Sequence, residues 1–581
     1  MLDRIGRFYR CTRHVPPRQL LRRLCLTAKR QILCRLPTEL IGRHRQPLPV
    51  SPAPPTALYS ARSHLAVFDG DTWWAQQLNR RIPLRMPVDW SASEIEIAAD
   101  TSTGERLARD DSLRCDRPTH LERLTFHYHE FIEGLPTEVA EQVIRDWIEN
   151  NPPYQRDFWN DCWNSYAISI RCVVWMQWWA KHASPSSESS QSGFERQFIG
   201  SLCEQIRFLT KNLETDICGN HLIKNIRCLL WASRFFQGEE AERWGKIGLS
   251  HLWRELDRQF LPDGMHYELS PAYHCQVLGD LLDCASLLDA PERVRLLREL
   301  EPAIRCLRML THPDGQISLF SDGGLNMVYS PAEYEQVWQQ LGCGKSSENC
   351  RTSLDHAGYY LLSNDRVWLL ADCGPICADA LPAHGHADML SFELDIDGKR
   401  MVVDRGVYQY QAGDARQADR SVVNHNTLAL AGRDQCELVG SFRIGRRSSA
   451  TCESFVDHGH VAELIGSHTG FSNHREKIVH RRRFVVTDRT ICIEDTVDGP
   501  QSEVAAVVRF LLHHDCQLTQ LSPFRIRVAR DETQCILSSD RPLSIVRSKW
   551  SPNFGQQFPT SSIEMTSPEI PCTFNSTFEL E

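Results

Sequence analysis

Residues 359–372 read Tyr-Tyr-Leu-Leu-Ser-Asn-Asp-Arg-Val-Trp-Leu-Leu-Ala-Asp. Two short apolar runs flank the polar turn Ser363-Asn364-Asp365, which predicts a β-hairpin. Two more hairpins follow by the same reading, Phe392 to Asp404 around Asp397-Gly398 and Arg483 to Asp495 around Thr487-Asp488. From a boundary at Gly342 to Asn349 onward the chain reads as short strands joined by polar turns, with no helical pattern between them. A single open sheet of that length would leave its edges and one apolar face in water, so an antiparallel β-sandwich is expected over 350–581.

Upstream the apolar period is helical. Phe198, Leu202, Ile206 and Leu209 are spaced by three and four, as are Leu222, Ile226, Leu229 and Leu230. The pattern returns in Val277 to Leu288, Val294 to Leu310 and Ala332 to Leu341, between turns such as Pro262-Asp263-Gly264 and Pro313-Asp314-Gly315. Thirteen of the fifteen Trp lie before residue 345, so most of them are expected to fill a helical core. The Ser-, Pro- and Glu-rich stretch Ser184 to Gly193 reads as a loop within this half. The expected organisation is a basic segment over 1–60 that docks on the body, a helical domain over 61–345 and the strand domain over 350–581.

The 581 residues exceed one compact core, and 41% hydrophobic with 24% charged residues is the composition of a globular protein. No run approaches the roughly 20 apolar residues of a membrane span; Ala167 to Ala180 is short and broken by Arg171. Net charge is -9, yet Met1 to Arg45 carries twelve Lys and Arg against Asp3 and Glu39. This basic stretch predicts docking on the protein body, with peripheral association at an anionic surface as the competing reading. It lacks the apolar core of an export signal, so a cytoplasmic location is expected, with periplasmic or membrane-peripheral as alternatives. The 22 Cys include no Cys-x-x-Cys, and most are expected to be reduced and buried. Nucleic acid is a poor partner for a chain of this charge with no recognised binding motif.

The densest polar cluster is Pro382-Ala383-His384-Gly385-His386-Ala387-Asp388, followed by Asp404 and Asn424-His425-Asn426-Thr427. A two-residue turn at Asp397-Gly398 sets Ile396 opposite Lys399 and Ser391 opposite Asp404, bringing Asp404 to the hairpin end from which His386 departs. His386, Asp404 and His425 then suit one divalent metal ion, with zinc favoured and a fourth position left for water or a ligand. Hydrogen-bonded structural groups are the competing reading. A second cluster opens helices: Gly219-Asn220-His221, and Tyr267-Glu268-Leu269-Ser270-Pro271-Ala272-Tyr273-His274. Helix N-termini favour anionic ligands, although Asn220 as an N-cap and Tyr273 as a packed aromatic are the plainer readings.

These stretches, in this order and spacing across roughly residues 200 to 450, together resemble the heparinase II/III-like polysaccharide lyases. Asp434-Gln435, Ser441-Phe442-Arg443 to Arg446-Arg447 and the opening Pro16-Pro17-Arg18-Gln19 extend the resemblance. It implies an incomplete (α/α) toroid followed by an antiparallel β-sandwich, with the active cleft between the two domains. It also implies β-elimination on a uronate-containing acidic polysaccharide. By motif, Tyr273 is similar to the catalytic tyrosine and His384 to its partner histidine. Asn220 matches the residue that neutralises the uronate carboxylate, and His386, Asp404 and His425 match the metal ligands of members that hold one. His221, Glu268, Arg405, Arg416 and Arg420 are expected to bind substrate, the arginines because a guanidinium matches carboxylates and sulfates bidentately. The rivals are a glycoside hydrolase, for which Glu268 and Asp388 are the candidate carboxylates, and a non-catalytic polysaccharide-binding or assembly protein.

Overall fold

The structure, a computed structural model, describes residues 2–35, 46–97, 117–182, 193–344 and 352–581. Most of the expected loop Ser184 to Gly193 and part of the expected boundary near 345 lie outside these residues. The chain forms two compact units. One holds Pro16–Arg258 and Gly279–Arg298; the other holds Met1–Val15, Gln259–Leu278 and Glu299–Glu581. The division therefore does not fall at one point in the sequence: the segment that carries Glu268 and Tyr273 belongs with the strands.

The first unit is mainly helical, with helices at His120–Phe126, Thr137–Asn150, Ser165–His182, Gly193–Lys211, Gly219–Phe235 and Glu239–Gln259. Ser165–His182 is buried on nearly all sides, which explains why its apolar run looks membrane-like. Arg171 is wholly buried there and donates to the side chain of Gln205 and to the carbonyls of His127 and Cys162. Its guanidinium sits 3.9 Å over the Trp147 ring. No helix among the described residues is long and apolar enough to cross a membrane.

One element departs from the helical reading. Ala66–Phe68, Trp73–Gln77, Arg80–Pro83 and Glu96–Ile97 form a four-stranded antiparallel sheet in this unit. Its central hairpin turns through Leu78 and Asn79, both at positive φ (46° and 59°), as a two-residue hairpin loop requires. Only Asn79 signals that turn in the sequence.

In the second unit the strands make antiparallel sheets of five, eight and four strands and a two-stranded ribbon. The five-stranded sheet contains the opening hairpin, with Tyr359 opposite Asp372 and Ser363 opposite Trp368. Its alternation sorts side chains to two faces. Tyr360, Leu362, Val367 and Leu369 enter the large core shared with the eight- and four-stranded sheets, while Tyr359, Leu361, Trp368 and Leu370 pack with Met265, Leu269, Cys306 and Leu310. The eight-stranded sheet alternates buried and partly exposed residues along Val461–His468 and Val479–Thr487. The third expected hairpin forms within it, with Val486 opposite Ile491 and Arg483 opposite Glu494.

The register at the Asp397-Gly398 hairpin differs from the simple pairing. Ile396 faces Lys399 and Asp395 faces Arg400, but the register then shifts and Leu394 faces Val402. This irregularity removes the expected pairing of Ser391 with Asp404. Asp404 is held instead by its own N–H, which donates to Glu393 Oε1 at 3.0 Å. The described cysteines are free thiols.

Candidate active site

Two other segments of the strand-bearing unit, one carrying His384 and His386 and the other Arg416, donate to one carboxylate. Asp322, fully buried, accepts from His384 Nδ1 at 3.1 Å, from His386 Nε2 at 2.8 Å and from both terminal nitrogens of Arg416, one of them at 2.8 Å. Its loop is tightly placed. Ser321 takes a left-handed φ of 61°, and at Gly323 any Cβ would lie 2.4 Å from that of Ala272. Leu269 and Leu390, beside the other site segments, are also left-handed at 61° and 62°, so several strained residues border this cluster.

His384 is held at both nitrogens, because its Nε2 lies 3.1 Å from Glu268 Oε2. With a carboxylate on each side both ring nitrogens donate, which defines an imidazolium. Burial opposes that charge, but the hydrogen bonds to Asp322 and Glu268 outweigh it and hold the pKa at about 8. The Tyr273 ring lies over this imidazole, 3.7 Å between centroids and 24° from parallel. Its hydroxyl is 3.1 Å from that of Tyr410. Burial, then Tyr410 and Asp322, pushes the Tyr273 phenol well above its ordinary value, so the resting group is a neutral phenol. Tyr273 and His384 each keep 7% exposure, whereas Asp322 keeps none and Glu268 1%.

The arginines expected to clamp substrate are committed elsewhere. Arg416, 1% exposed, spends its donors on Asp322 and the Ser441 carbonyl and lies 4.9 Å from the Tyr410 ring centroid. Arg420 donates to the carbonyls of Gly385, Gly440 and Ser441. Arg405 donates to the Lys549 carbonyl and lies 3.5 Å from Asp419. All three are buried, and Arg416 and Arg420 organise the loops around His384 and His386. Three consecutive arginines of the eight-stranded sheet, Arg481, Arg482 and Arg483, are likewise paired with acids, Glu453, Asp495 and Glu463.

Next to Asp322, His386, Asp388 and His425 bring one ligand atom each within 4.8 Å of one another, all buried. His386 Nδ1 and His425 Nε2 have no hydrogen-bond partner although buried, while the opposite nitrogens are fixed by Asp322 and by Asp404 at 2.9 Å. Two imidazoles aimed inward, each oriented by a carboxylate behind it, are the donor arrangement of a metal centre. The residues therefore fit a divalent ion, with Asp388 completing the triad and Asp404 supporting His425 rather than joining it. Burial raises the Asp388 pKa to about 6. His513, His514 and Asp515 form a second such group, but Arg530 lies 3.4 Å from Asp515.

Asn220 and His221 belong to the helical unit, at the start of Gly219–Phe235 after Cys218 at φ 62°. His221 Nδ1 pairs with Glu214 Oε1 at 2.9 Å and its ring lies 4.4 Å from Tyr166. Asn225 donates to Glu214 Oε2 and accepts from the Glu214 N–H, fixing the acid that holds His221. Sequence reading missed Asp322 and Tyr410. Asp322 has a trace in Ser321-Asp322-Gly323-Gly324, but Tyr410 has none, since a tyrosine in a loop carries no periodic signal.

Two family models match in succession, the heparinase II/III N-terminus over residues 133–340 and the heparinase II/III-like C-terminal region over 347–577. The chain belongs to the heparinase II/III-like family. It is 24% identical over 403 residues to a heparin-sulfate lyase of Bacteroides thetaiotaomicron, covering 60% of this chain and 55% of that one. It is 26% identical over 316 residues to FtsZ-localized protein C of Caulobacter vibrioides, covering 51% and 52%. The chain thus spans about half the length of these curated relatives. A crystal structure of heparinase III superposes with a TM-score of 0.67 at 17% identity, covering 84% of this chain and 81% of that one. Heparan sulfate lyase HepC from Pedobacter heparinus gives 0.55 at 18% identity, covering 86% and 79%. These likenesses show the fold, helices followed by antiparallel sheets.

Proposed function

We propose that this protein is a polysaccharide lyase that cleaves a uronate-containing acidic polysaccharide by β-elimination, on an incomplete (α/α) toroid followed by a β-sandwich. The observation that carries the reading is the Tyr273 phenol stacked on a His384 imidazolium whose two nitrogens are both occupied. A histidine so engaged is not the base, so proton transfer falls to Tyr273. As phenolate, Tyr273 takes the C5 proton; the C4–O4 bond breaks as the C4–C5 double bond forms, and the same hydroxyl returns the proton to O4. Positive charge on the stacked His384 stabilises that phenolate. The uronate carboxylate must be neutralised for C5 to become acidic, the role proposed for Asn220, with His221 beside it.

His386, Asp388 and His425 would hold the divalent ion, with zinc favoured and Asp404 behind His425. When bound, the ion would supply fixed positive charge beside Asp322. Asp322, through His384 and Arg416, keeps the imidazole oriented under the phenol. A role in cell-surface polysaccharide metabolism fits a lyase of this kind.

The hydrolase alternative is disfavoured because Glu268 is tied to His384 and Asp388 is buried and accepts from the Ser321 N–H. Likeness to FtsZ-localized protein C keeps a second reading, a non-catalytic assembly or binding protein on the same scaffold. One assay separates them: purified protein is incubated with uronate-containing polysaccharides and followed by the ultraviolet absorbance of the unsaturated uronide. Hydrolysis creates no double bond, and a binding protein retains polymer without turnover.

A further inference from the structure

The helix Leu2–Thr12 faces its body with its charged side. Arg10 donates to both carboxylate oxygens of Glu437 at 2.7 and 2.8 Å, Arg7 lies 3.3 Å from the same group, and Cys11 is buried. The other side carries Ile5, Phe8 and Tyr9, at helical spacing and 57%, 65% and 64% exposed. The helix Pro17–Leu33, in the other unit, repeats this inversion. It buries Gln19 and Leu26, Arg23 donates to the Asp216 carbonyl and Lys29 to Asn212, while Leu21, Leu24 and Ile32 stand 63%, 69% and 58% exposed.

A helix that merely completes a core turns its apolar stripe inward. Here six of the eighteen exposed large hydrophobic residues among those described fall within the first 33 positions, a concentration that marks an interaction surface. Its chemistry is specified by charge. Twelve Lys and Arg stand against two acids over residues 1–45, and Arg13 and Arg18, between the two apolar faces in sequence, are exposed. An apolar protein groove would match the leucines and phenylalanine but not this excess of cations, whereas an anionic lipid interface matches both.

We infer that the two N-terminal helices bind the surface of an anionic lipid bilayer. On the first helix Ile5, Phe8 and Tyr9, and on the second Leu21, Leu24 and Ile32, each enter the boundary between head groups and acyl chains, and the exposed Arg13 and Arg18 meet lipid phosphates. The attachment is peripheral and independent of the lyase reading, so failure of either leaves the other standing.

The test is co-sedimentation of the full chain with phosphatidylcholine vesicles, alone or with about a quarter phosphatidylglycerol. The expected result is at least about tenfold tighter partition onto the anionic vesicles, weakened by salt. The double variant Phe8→Gln, Leu24→Gln should lose that partition while keeping the thermal unfolding midpoint of the parent protein. No partition onto either vesicle, or equal partition onto both, overturns the inference. So does a dimer in light scattering that the double variant dissociates, because the exposed faces would then belong to a second copy of the chain.

Discussion

Tyr273 and His384, 111 positions apart in the sequence, stack ring on ring at 3.7 Å, and the phenol oxygen lies 3.1 Å from the hydroxyl of Tyr410. Tyr273→Phe removes the atom proposed to transfer the proton and leaves the stacking intact. Elimination should fall by about 10²- to 10⁴-fold, the usual contribution of a positioned acid–base group. One hydrogen bond of roughly 1 kcal/mol is lost with it, so the unfolding midpoint should move by only a few degrees. Unsaturated-uronide absorbance and a thermal melt on the same sample decide the matter; unchanged turnover would remove Tyr273 from the chemistry.

Burial holds the Tyr273 phenol well above its ordinary range, so its phenolate is scarce at neutral pH. The active fraction then grows with each step of alkalinity, and kcat/KM should climb by about one decade per pH unit through the neutral range. A profile of initial rates against pH, at constant ionic strength, reads this directly. A plateau or a maximum on the acid side of neutrality would show that another group takes the C5 proton.

Asp322 is the buried anion for two histidines and one arginine. Asp322→Asn leaves the Arg416 guanidinium buried without its counter-charge, which should cost about 3–5 kcal/mol of stability. Turnover and metal content should decline together. Urea unfolding measures the first and elemental analysis the last; a variant of parental stability would deny Asp322 its central place.

Metal content tests the triad separately. Elemental analysis of the purified chain is expected to find about one divalent ion per molecule, as a single site of this donor type would hold. His425→Ala should empty it. Chelation should lower the unfolding midpoint, because an ion bound only to the folded state stabilises by mass action. A chain that carries no metal after growth with zinc, and melts identically with and without chelator, would leave the two inward nitrogens as structural features.

The architecture was readable where one physical pattern dominated. Alternation at Tyr359–Asp372 and three-four spacing through Gly219–Phe235 each buries one face, so sequence period and structure agree. The small sheet at Ala66–Pro83 was not readable, because its strands are short and its turn uses Leu78 at positive φ, an uncommon choice. At the site, the motif histidines and Tyr273 stood out because such residues cluster in few places. Their arrangement did not: a register shift re-aims Asp404, Asp388 comes in beside the histidines, and Arg416 turns inward to a carboxylate nearly a hundred residues away.

The alternation of Phe392-Glu393-Leu394-Asp395-Ile396 reads as a strand with one wet face, yet both acids are wholly buried. The reason is His312, whose Nδ1 meets Asp395 Oδ1 at 2.7 Å and whose Nε2 meets Glu393 Oε2 at 2.8 Å. Burial and Arg400 work against the imidazolium, but Asp395 and Glu393 overcome them and raise its pKa above the ordinary 6.5. The folded chain therefore keeps a proton that the unfolded chain begins to release near pH 6.5. Its contribution to stability is complete below that value and is lost as pH rises through the raised one. His312→Gln should destabilise by about 3 kcal/mol at the acid end, where two buried carboxylates lose their cation. The gap between parent and variant should narrow steadily as pH rises. Urea midpoints at several pH values read that trend, and a gap that widens with pH would mean that His312 sits neutral between its two acids.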